Sequence, residues 1–376
     1  MEDLVDLFGG AYSGRRVLVT GHSGFKGSWL TLWLRELGAD VRGLSLDLLR
    51  PSLHATIFGD LTPSSRGDVR ELRRVEQAFA EAEPEIVFHL AAQALVRPSY
   101  SEPVTTFDTN VMGTVHVLEA VRHARTVRLC QIVTSDKCYE NREWVHPYRE
   151  VDRLGGRDPY SSSKAAAELV TRAYTDSFFP PSTIDQHHVS VSSVRAGNVI
   201  GGGDWATDRI VPDCIRSLSA GEAIQIRSPQ AIRPWQYVLE ALYGYLLLGA
   251  HQLRVPGRFE GAWNFGPDQG STQTVGTVAS RIVELWGSGR WDDKSSARNQ
   301  PHEAMTLRLD SSKAQSALGW APTLSLDEAL RETVAWYRTT ARNNIAEARH
   351  EAVAAIRRFS QLASARRPQR RERREV

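Results

Sequence analysis

The chain has little of what holds small secreted proteins together. Its 3 cysteines in 376 residues, Cys130, Cys138 and Cys214, are odd in number and lack the C-x-x-C spacing of a zinc or redox pair. That excludes a disulfide framework, gives no reason to expect a metal, and fits a reducing, cytoplasmic setting. Long hydrophobic runs are also missing: the apolar stretch from Ala241 to Ala250 is too short to cross a bilayer. The first ten residues carry acids where a secretory leader would carry bases, so a soluble protein without a membrane partner is expected. Neither sign of charge dominates, with 46 Lys and Arg against 44 Asp and Glu and a net charge of +2, so no general attraction to nucleic acid is built in. The exception is the run from Arg366 to Val376, RRPQRRERREV, which reads as a solvated basic tail. Lysine is scarce beside arginine. Lys26, Lys137, Lys164, Lys294 and Lys313 are the whole set, and the first three fall inside motifs.

What is present is ordinary globular composition, 41% hydrophobic and 24% charged, in a chain long enough for a large core and a second lobe. Arg16 to Thr20 is a short β-branched run, followed by glycines and then by Trp29, Leu30, Trp33, Leu34 and Leu37 at helical spacing. Further strands are predicted at Val41 to Leu46, Ile86 to Leu90, Leu129 to Val133 and Val189 to Val194, with helical patterns between them. That alternation implies an α/β fold with a doubly wound parallel sheet of the Rossmann type. Beyond about residue 198 the pattern changes to loops rich in Gly, Pro, Asp and Trp, with helices near Ile210 to Ala220, Leu239 to Gln252, Val275 to Trp286 and Leu326 to Ala341. The expected division is a dinucleotide-binding domain over 1–198 with interleaved segments near 232–266, a smaller C-terminal substrate lobe over most of 199–345, and a helical extension with the basic tail over 346–376.

Gly21-His22-Ser23-Gly24-Phe25-Lys26-Gly27 follows the first strand and opens directly into a helix. Glycines at this spacing let the backbone approach a pyrophosphate, whose charge is favoured by the N–H groups and dipole of the helix N-terminus. His22 departs from the small residue usual in such turns and is expected to reshape the pyrophosphate contact. Asp47 ends the second strand about twenty residues on, where an acidic side chain accepts from an adenosine ribose. This favours NAD, against which Arg42 or Arg50 stands as a receiver for the 2′-phosphate of NADP. Asp68, Val69, Leu90, Ala91 and Ala92 fall at later strand ends, which face the cofactor in a doubly wound sheet.

Asp158 and Pro159 start a helix that carries Tyr160 and Lys164 one turn apart on one face. An ammonium beside a phenol stabilises the phenolate and draws its pKa down from about 10, which makes the two a proton-transfer pair. One strand earlier, Ser135 is placed to hydrogen-bond the hydroxyl that Tyr160 deprotonates. Asp136 and Lys137 follow it. A simple dehydrogenase needs no further acid and base, so this couple points to a second set of proton transfers, with a surface ion pair as the plainer alternative.

The glycine-rich turn, Ser135 and Tyr160-x-x-x-Lys164 together resemble the extended short-chain dehydrogenase/reductases, which act mostly on nucleotide-linked sugars. Within them, GHSGFKGSWL, TSDKCYEN, GGRDPYSSSKAAAE, RAGNVIGGGDWA and IRSPQAIRPWQYVLE resemble the CDP-glucose 4,6-dehydratases, from about Arg16 to about Tyr337. The resemblance implies oxidation of the sugar at C4, loss of water across C5 and C6, and reduction at C6, with NAD regenerated. In that scheme Tyr160, Lys164 and Ser135 handle the 4-hydroxyl proton, Lys137 takes the C5 proton and Asp136 protonates the departing hydroxyl. The related dTDP-glucose enzymes resemble this chain but carry glutamate where it has Lys137. A lysine base must be neutral to act, which requires desolvation or a neighbouring cation.

Downstream, Arg209 and Arg233 are the candidate fork donors for a diphosphate. The resemblance adds Asn198 and His302 as substrate contacts. Trp205, Trp235 and Trp263 offer a stacking surface for a base, or simple packing. The resemblance also implies a homodimer or higher homo-oligomer, built through helices such as Val104 to His123 and Tyr160 to Phe178. A 4-epimerase on the same scaffold would share Tyr160 and Lys164 but would need neither Asp136 nor Lys137, and a non-catalytic cofactor-binding regulator would have lost part of the Ser135, Tyr160, Lys164 set.

Overall fold

The structure is a computed structural model that describes residues 4–47, 50–59, 64–295, 306–340 and 344–366. Along the chain the strands are β1 (Arg16–Thr20), β2 (Asp40–Ser45), β3 (Ser64–Arg66), β4 (Ile86–His89), β5 (Leu129–Val133), β6 (Ser190–Ala196), β7 (Asn198–Ile200), β8 (Ile224–Ile226), β9 (Ile232–Tyr237), β10 (Gly261–Phe265), β11 (Thr272–Thr274) and β12 (Trp291–Asp293). Seven of them form one sheet in the order β10-β6-β5-β4-β1-β2-β3, and every pairing within it is parallel. The order reverses between β1 and β4, which opens a crevice beyond the carboxyl ends of the strands.

β4, β5 and β6 are buried along their whole length, as expected where helices cover both faces of a parallel sheet. On one face Val75, Phe79, Val117 and Val121 pack from the helices Leu72–Ala82 and Gly113–His123. On the other, Trp29 and Trp33 of Phe25–Glu36 meet Leu239, Leu242 and Leu246 of Val238–Arg254. That last helix passes so close that the Tyr12 hydroxyl donates to the Leu246 carbonyl at 2.6 Å.

The second lobe grows out of the same strand ends. β7 leaves β6 after one residue and joins β9 and β11 in a small mixed sheet, while β8 pairs with β12. From the expected interleaved segment, β10 enters the large sheet and β9 the small one. The helix Ile345–Arg366 turns back onto the first domain, burying Ala348, Ala352, Ile356 and Phe359 in its core. The arginine run past Arg366 lies outside the described residues. One element departs from expectation: the helix expected from Val104 to His123 is broken by a π-helical stretch at Asp108–Met112, which apolar periodicity does not announce.

Candidate active site

A cavity of about 1500 Å³ occupies the crevice at the carboxyl edge of the sheet and extends into the second lobe. Its floor begins where β1 ends. Gly21 has φ +71, and a Cβ there would sit 2.7 Å from the Ala91 nitrogen. A Cβ on Gly27 would be 2.1 Å from the Gly21 carbonyl oxygen, so the helix packs on its own entry turn only as glycine. No side chain among the described residues caps the helix Phe25–Glu36, and Gly24, Phe25 and Lys26 at its start line the cavity. Its free N–H groups therefore present an anion site to that space. Asp47, Asp68, Val69, Leu90, Ala91 and Ala92 line the same end. Asp47 is ion-paired with Arg66 near the surface, and Asp68 with Arg70 at 2.6 Å. Arg42 donates instead to the Glu81 carbonyl at 3.0 Å, outside this cavity. The uncapped helix start, the glycine contacts and the acidic rim fit an NAD dinucleotide.

His22 requires a correction. Its side chain is 2% exposed and packs edge-on against His54 with ring centroids 5.0 Å apart, filling space left by Gly43. It points into the core, so it supports the turn from behind and does not reshape a pyrophosphate contact. Burial and His54 lower its pKa to about 4, which keeps it neutral. Lys26 is half-buried. Its Nζ lies 3.5 Å from the Tyr245 hydroxyl, and burial, with Arg209 next, lowers its pKa to about 7.

The chemical end is built on the helix Pro159–Phe178. The Asp158 side chain accepts from the Ser161 nitrogen at 2.9 Å and Pro159 takes the first turn, as its sequence predicts. Tyr160 and Lys164 face the cavity together. Their electrostatics differ from the expected pair. Burial pushes the Tyr160 phenol up to about 12, with the Ser135 hydroxyl opposing, and burial lowers Lys164 to about 8. The Lys164 Nζ donates to the Val133 carbonyl at 3.3 Å. Both groups are thus tuned by desolvation first.

Beyond β5, Ser135 caps a single 3-10 turn, Asp136–Cys138, and accepts from the Lys137 nitrogen at 3.3 Å. The Ser135 hydroxyl donates to Asp136 Oδ1 at 3.0 Å, while Oδ2 has no hydrogen-bond partner among the described residues. Asp136 is 2% exposed; burial raises its pKa and Lys137 opposes the rise. The Lys137 Nζ stands 5.9 Å from the centre of the Tyr160 ring. Asp136, Lys137, Tyr160 and Lys164 therefore share one chamber, which is not how a surface ion pair is placed.

Asn198, Arg209 and Arg233 line the cavity as well, Arg209 held by Asp204 at 2.9 Å. His302 lies outside the described residues. Trp205 and Trp235 line the cavity, whereas Trp263 is buried and donates to the Phe259 carbonyl at 2.9 Å. Sequence reasoning missed Asn110. From the π-helical stretch, its Nδ2 donates to the Gln93 carbonyl at 3.0 Å and to Ser163 Oγ at 2.8 Å, joining the loop after β4 to the helix of Tyr160 and Lys164. It also missed the buried Glu168 and Arg195, and Asp208, which pairs with Arg227 at 2.8 Å and Arg97 at 3.5 Å along the wall. Glu168 and Arg195 stand at the ends of GGRDPYSSSKAAAE and RAGNVIGGGDWA, but nothing in either stretch tells that the two pair.

The model of the NAD dependent epimerase/dehydratase family matches residues 17–264. A CDP-glucose 4,6-dehydratase of Salmonella typhimurium is 50% identical over 332 residues, covering 87% of this chain and 91% of that protein. Among solved structures, MoeE5 in complex with UDP-glucuronic acid and NAD superposes with a TM-score of 0.72 at 27% identity, covering 86% of this chain and 99% of that one. UDP-glucose 4-epimerase of Thermus thermophilus in complex with NAD gives 0.72 at 26%, with coverage of 86% and 99%. The chain belongs to the NAD-dependent epimerase/dehydratase family and, within it, to the CDP-glucose 4,6-dehydratases.

Proposed function

We propose that this chain dehydrates CDP-glucose to CDP-4-keto-6-deoxyglucose. The observation that carries the reading is the second acid–base couple, buried Asp136 with Lys137, in the chamber of Tyr160 and Lys164. Oxidation at C4 alone leaves Asp136 and Lys137 without a task, and 4-epimerisation needs only that first step. The cytidine nucleotide rests on the 50% identical relative.

Bound NAD supplies the electron acceptor at C4 and the donor at C6. Gly21, Gly24, Phe25, Lys26 and Gly27 would hold its pyrophosphate, and Asp47 its adenosine ribose. Tyr160 is assigned to remove the proton of the 4-hydroxyl as its phenolate, a form that burial opposes and that the Ser135 hydroxyl and, in this reading, the Lys164 ammonium favour. The resulting ketone acidifies C5–H. Lys137 takes that proton, and the C5 electron pair forms the C5–C6 double bond as the C6–O bond breaks. Asp136, whose carboxyl burial pushes toward its protonated form against the opposing pull of Lys137, is assigned to give a proton to the departing hydroxyl, which leaves as water. Reduction at C6 and reprotonation at C5 complete the cycle without net redox change. Arg209, Arg233 and Asn198 are assigned to the diphosphate and sugar.

A homodimer belongs to the same reading, supported by Val104, Phe107, Met112, Leu169 and Phe178, exposed apolar side chains on the neighbouring helical stretches 103–112 and Pro159–Phe178. A reducing cytoplasmic setting is supported by the three cysteines, all buried and unpaired. The test is incubation of the purified protein with CDP-glucose, dTDP-glucose and UDP-glucose. Formation of the 4-keto product from CDP-glucose without net NADH is expected, and turnover confined to another nucleotide would overturn the assignment.

A further inference from the structure

Glu168 lies one helical turn beyond Lys164, facing away from the cavity and into the protein. It pairs with Arg195 of β6 in a salt bridge whose side chains are each 3% exposed. The contact is a two-pronged fork, Arg195 Nε to Glu168 Oε1 at 2.9 Å and Nη2 to Oε2 at 2.7 Å. A buried pair of this kind requires further hydrogen bonds to offset its desolvation. Here those bonds run to the two ends of one short segment. The Thr134 hydroxyl, directly before Ser135, donates to Glu168 Oε1, and Ser193 Oγ donates to Oε2 at 2.6 Å. At the other end, Arg195 Nη1 donates to the hydroxyl of Tyr139, directly after Cys138, at 2.6 Å. The Tyr139 hydroxyl in turn donates to Asn264 Oδ1 on β10 at 2.8 Å, and the Arg195 guanidinium lies 4.9 Å from the centre of the Tyr139 ring.

The Ser135–Cys138 segment, with Asp136 and Lys137 at its centre, is therefore tied at both ends to one ion pair rooted in the helix of Tyr160 and Lys164. We propose that Glu168 and Arg195 are positioning residues that set the spacing between the oxidation couple, Tyr160 and Lys164, and the elimination couple, Asp136 and Lys137. Neither touches the cavity. A chemical sequence whose two steps act on adjacent sugar carbons needs both couples aimed at one substrate pose, and a displacement of about 1 Å is enough to lower a rate ~100-fold. A single dry network holding both couples meets that need. The same Glu168 carboxylate favours the charged form of Lys164.

The inference rests on the proposed dehydration for its kinetic arm but not for its structural arm. Tyr139→Phe removes one hydroxyl from a packed ring and leaves the ion pair intact; Glu168→Gln removes the charge. In Tyr139→Phe, amide exchange at Asp136–Cys138 is expected to quicken ~10-fold while the helix Pro159–Phe178 keeps its protection, and elimination to fall ~10-fold relative to C4 oxidation. Glu168→Gln is expected to move the alkaline limb of activity to lower pH, because Lys164 loses its anionic neighbour. Unchanged exchange at Asp136–Cys138 in Tyr139→Phe, or an equal fall in both partial reactions, overturns the positioning role. A parent protein that leaves CDP-glucose untouched overturns the functional reading alone, since amide exchange decides the positioning role without turnover.

Discussion

The two corners of the cavity to which the proposed reaction assigns proton transfer are held in opposite ways. Tyr160 and Lys164 ride on one 20-residue helix, and their separation follows from helix geometry and from Asp158 and Pro159 starting it in the right place. Asp136 and Lys137 ride on a 3-residue turn that has no stiffness of its own. Their placement is borrowed, through the flanking Thr134 and Tyr139, from Glu168 and Arg195 on two other stretches of chain. The first corner is a local device and the second a tertiary one, so the first tolerates distant change and the second does not.

The largest test of that contrast is within the helix corner. Tyr160→Phe keeps the ring packing and removes the proton carrier, so turnover should fall ~1000-fold with the melting temperature nearly unchanged. A fall below tenfold, measured with saturating substrate, would transfer the role to another group. Next, Lys137→Ala should still oxidise C4 but stall before loss of water, lowering product formation ~100-fold while a 4-ketohexose accumulates. Product at the parent rate would remove Lys137 from the chemistry and leave the second corner without a base.

A pH titration separates the corners further. Burial holds Lys164 near 8 where an exposed lysine has 10.5, so its charge, needed beside the phenolate, is lost as pH rises through about 8. Activity should show an alkaline limb there. Between the folded value and 10.5 the unfolded chain binds more protons, so the contribution of this group to stability rises with pH across that window. Stability measured by urea unfolding at pH 8 and pH 10 checks the sign.

The smallest effect is expected at a buried carboxyl outside both corners. Glu240 Oε1 accepts from the Thr323 nitrogen at 2.8 Å, Oε2 has no hydrogen-bond partner among the described residues, and burial raises the pKa to about 8. Because the folded value lies above 4.5, this group favours folding below that pH and loses its contribution as pH rises through about 8. Glu240→Gln keeps the accepting oxygen and cannot ionise, so it should be neutral or up to about 1 kcal/mol more stable at pH 8, with kcat unchanged.

Much of this was legible in the chain. The β1 and β5 runs, the glycine turn and the helix of Tyr160 and Lys164 carry their signals within a few residues, and each formed as predicted. His22 misled because its position in a glycine motif suggested a ligand contact, whereas the direction of its side chain is decided by the space that Gly43 leaves and by His54. Asn110 was invisible because a π-helical stretch adds one residue to a turn without altering composition. Glu168 and Arg195 were missed for another reason: they end one family-like stretch and begin another, 27 positions apart, and only the parallel alignment of β5 with β6 beside the helix of Tyr160 and Lys164 makes them a pair.

The sequence by itself determined the parallel α/β order, the anion-binding turn and the tyrosine–lysine couple, because strand burial, glycine stereochemistry and helix period act over neighbouring residues. The tertiary structure decided the burial that pushes the Tyr160 phenol up to about 12, raises Asp136 and lowers Lys164 to about 8. It also decided how the second acid–base couple is held, because desolvation and long-range hydrogen bonding exist only once distant segments have packed together.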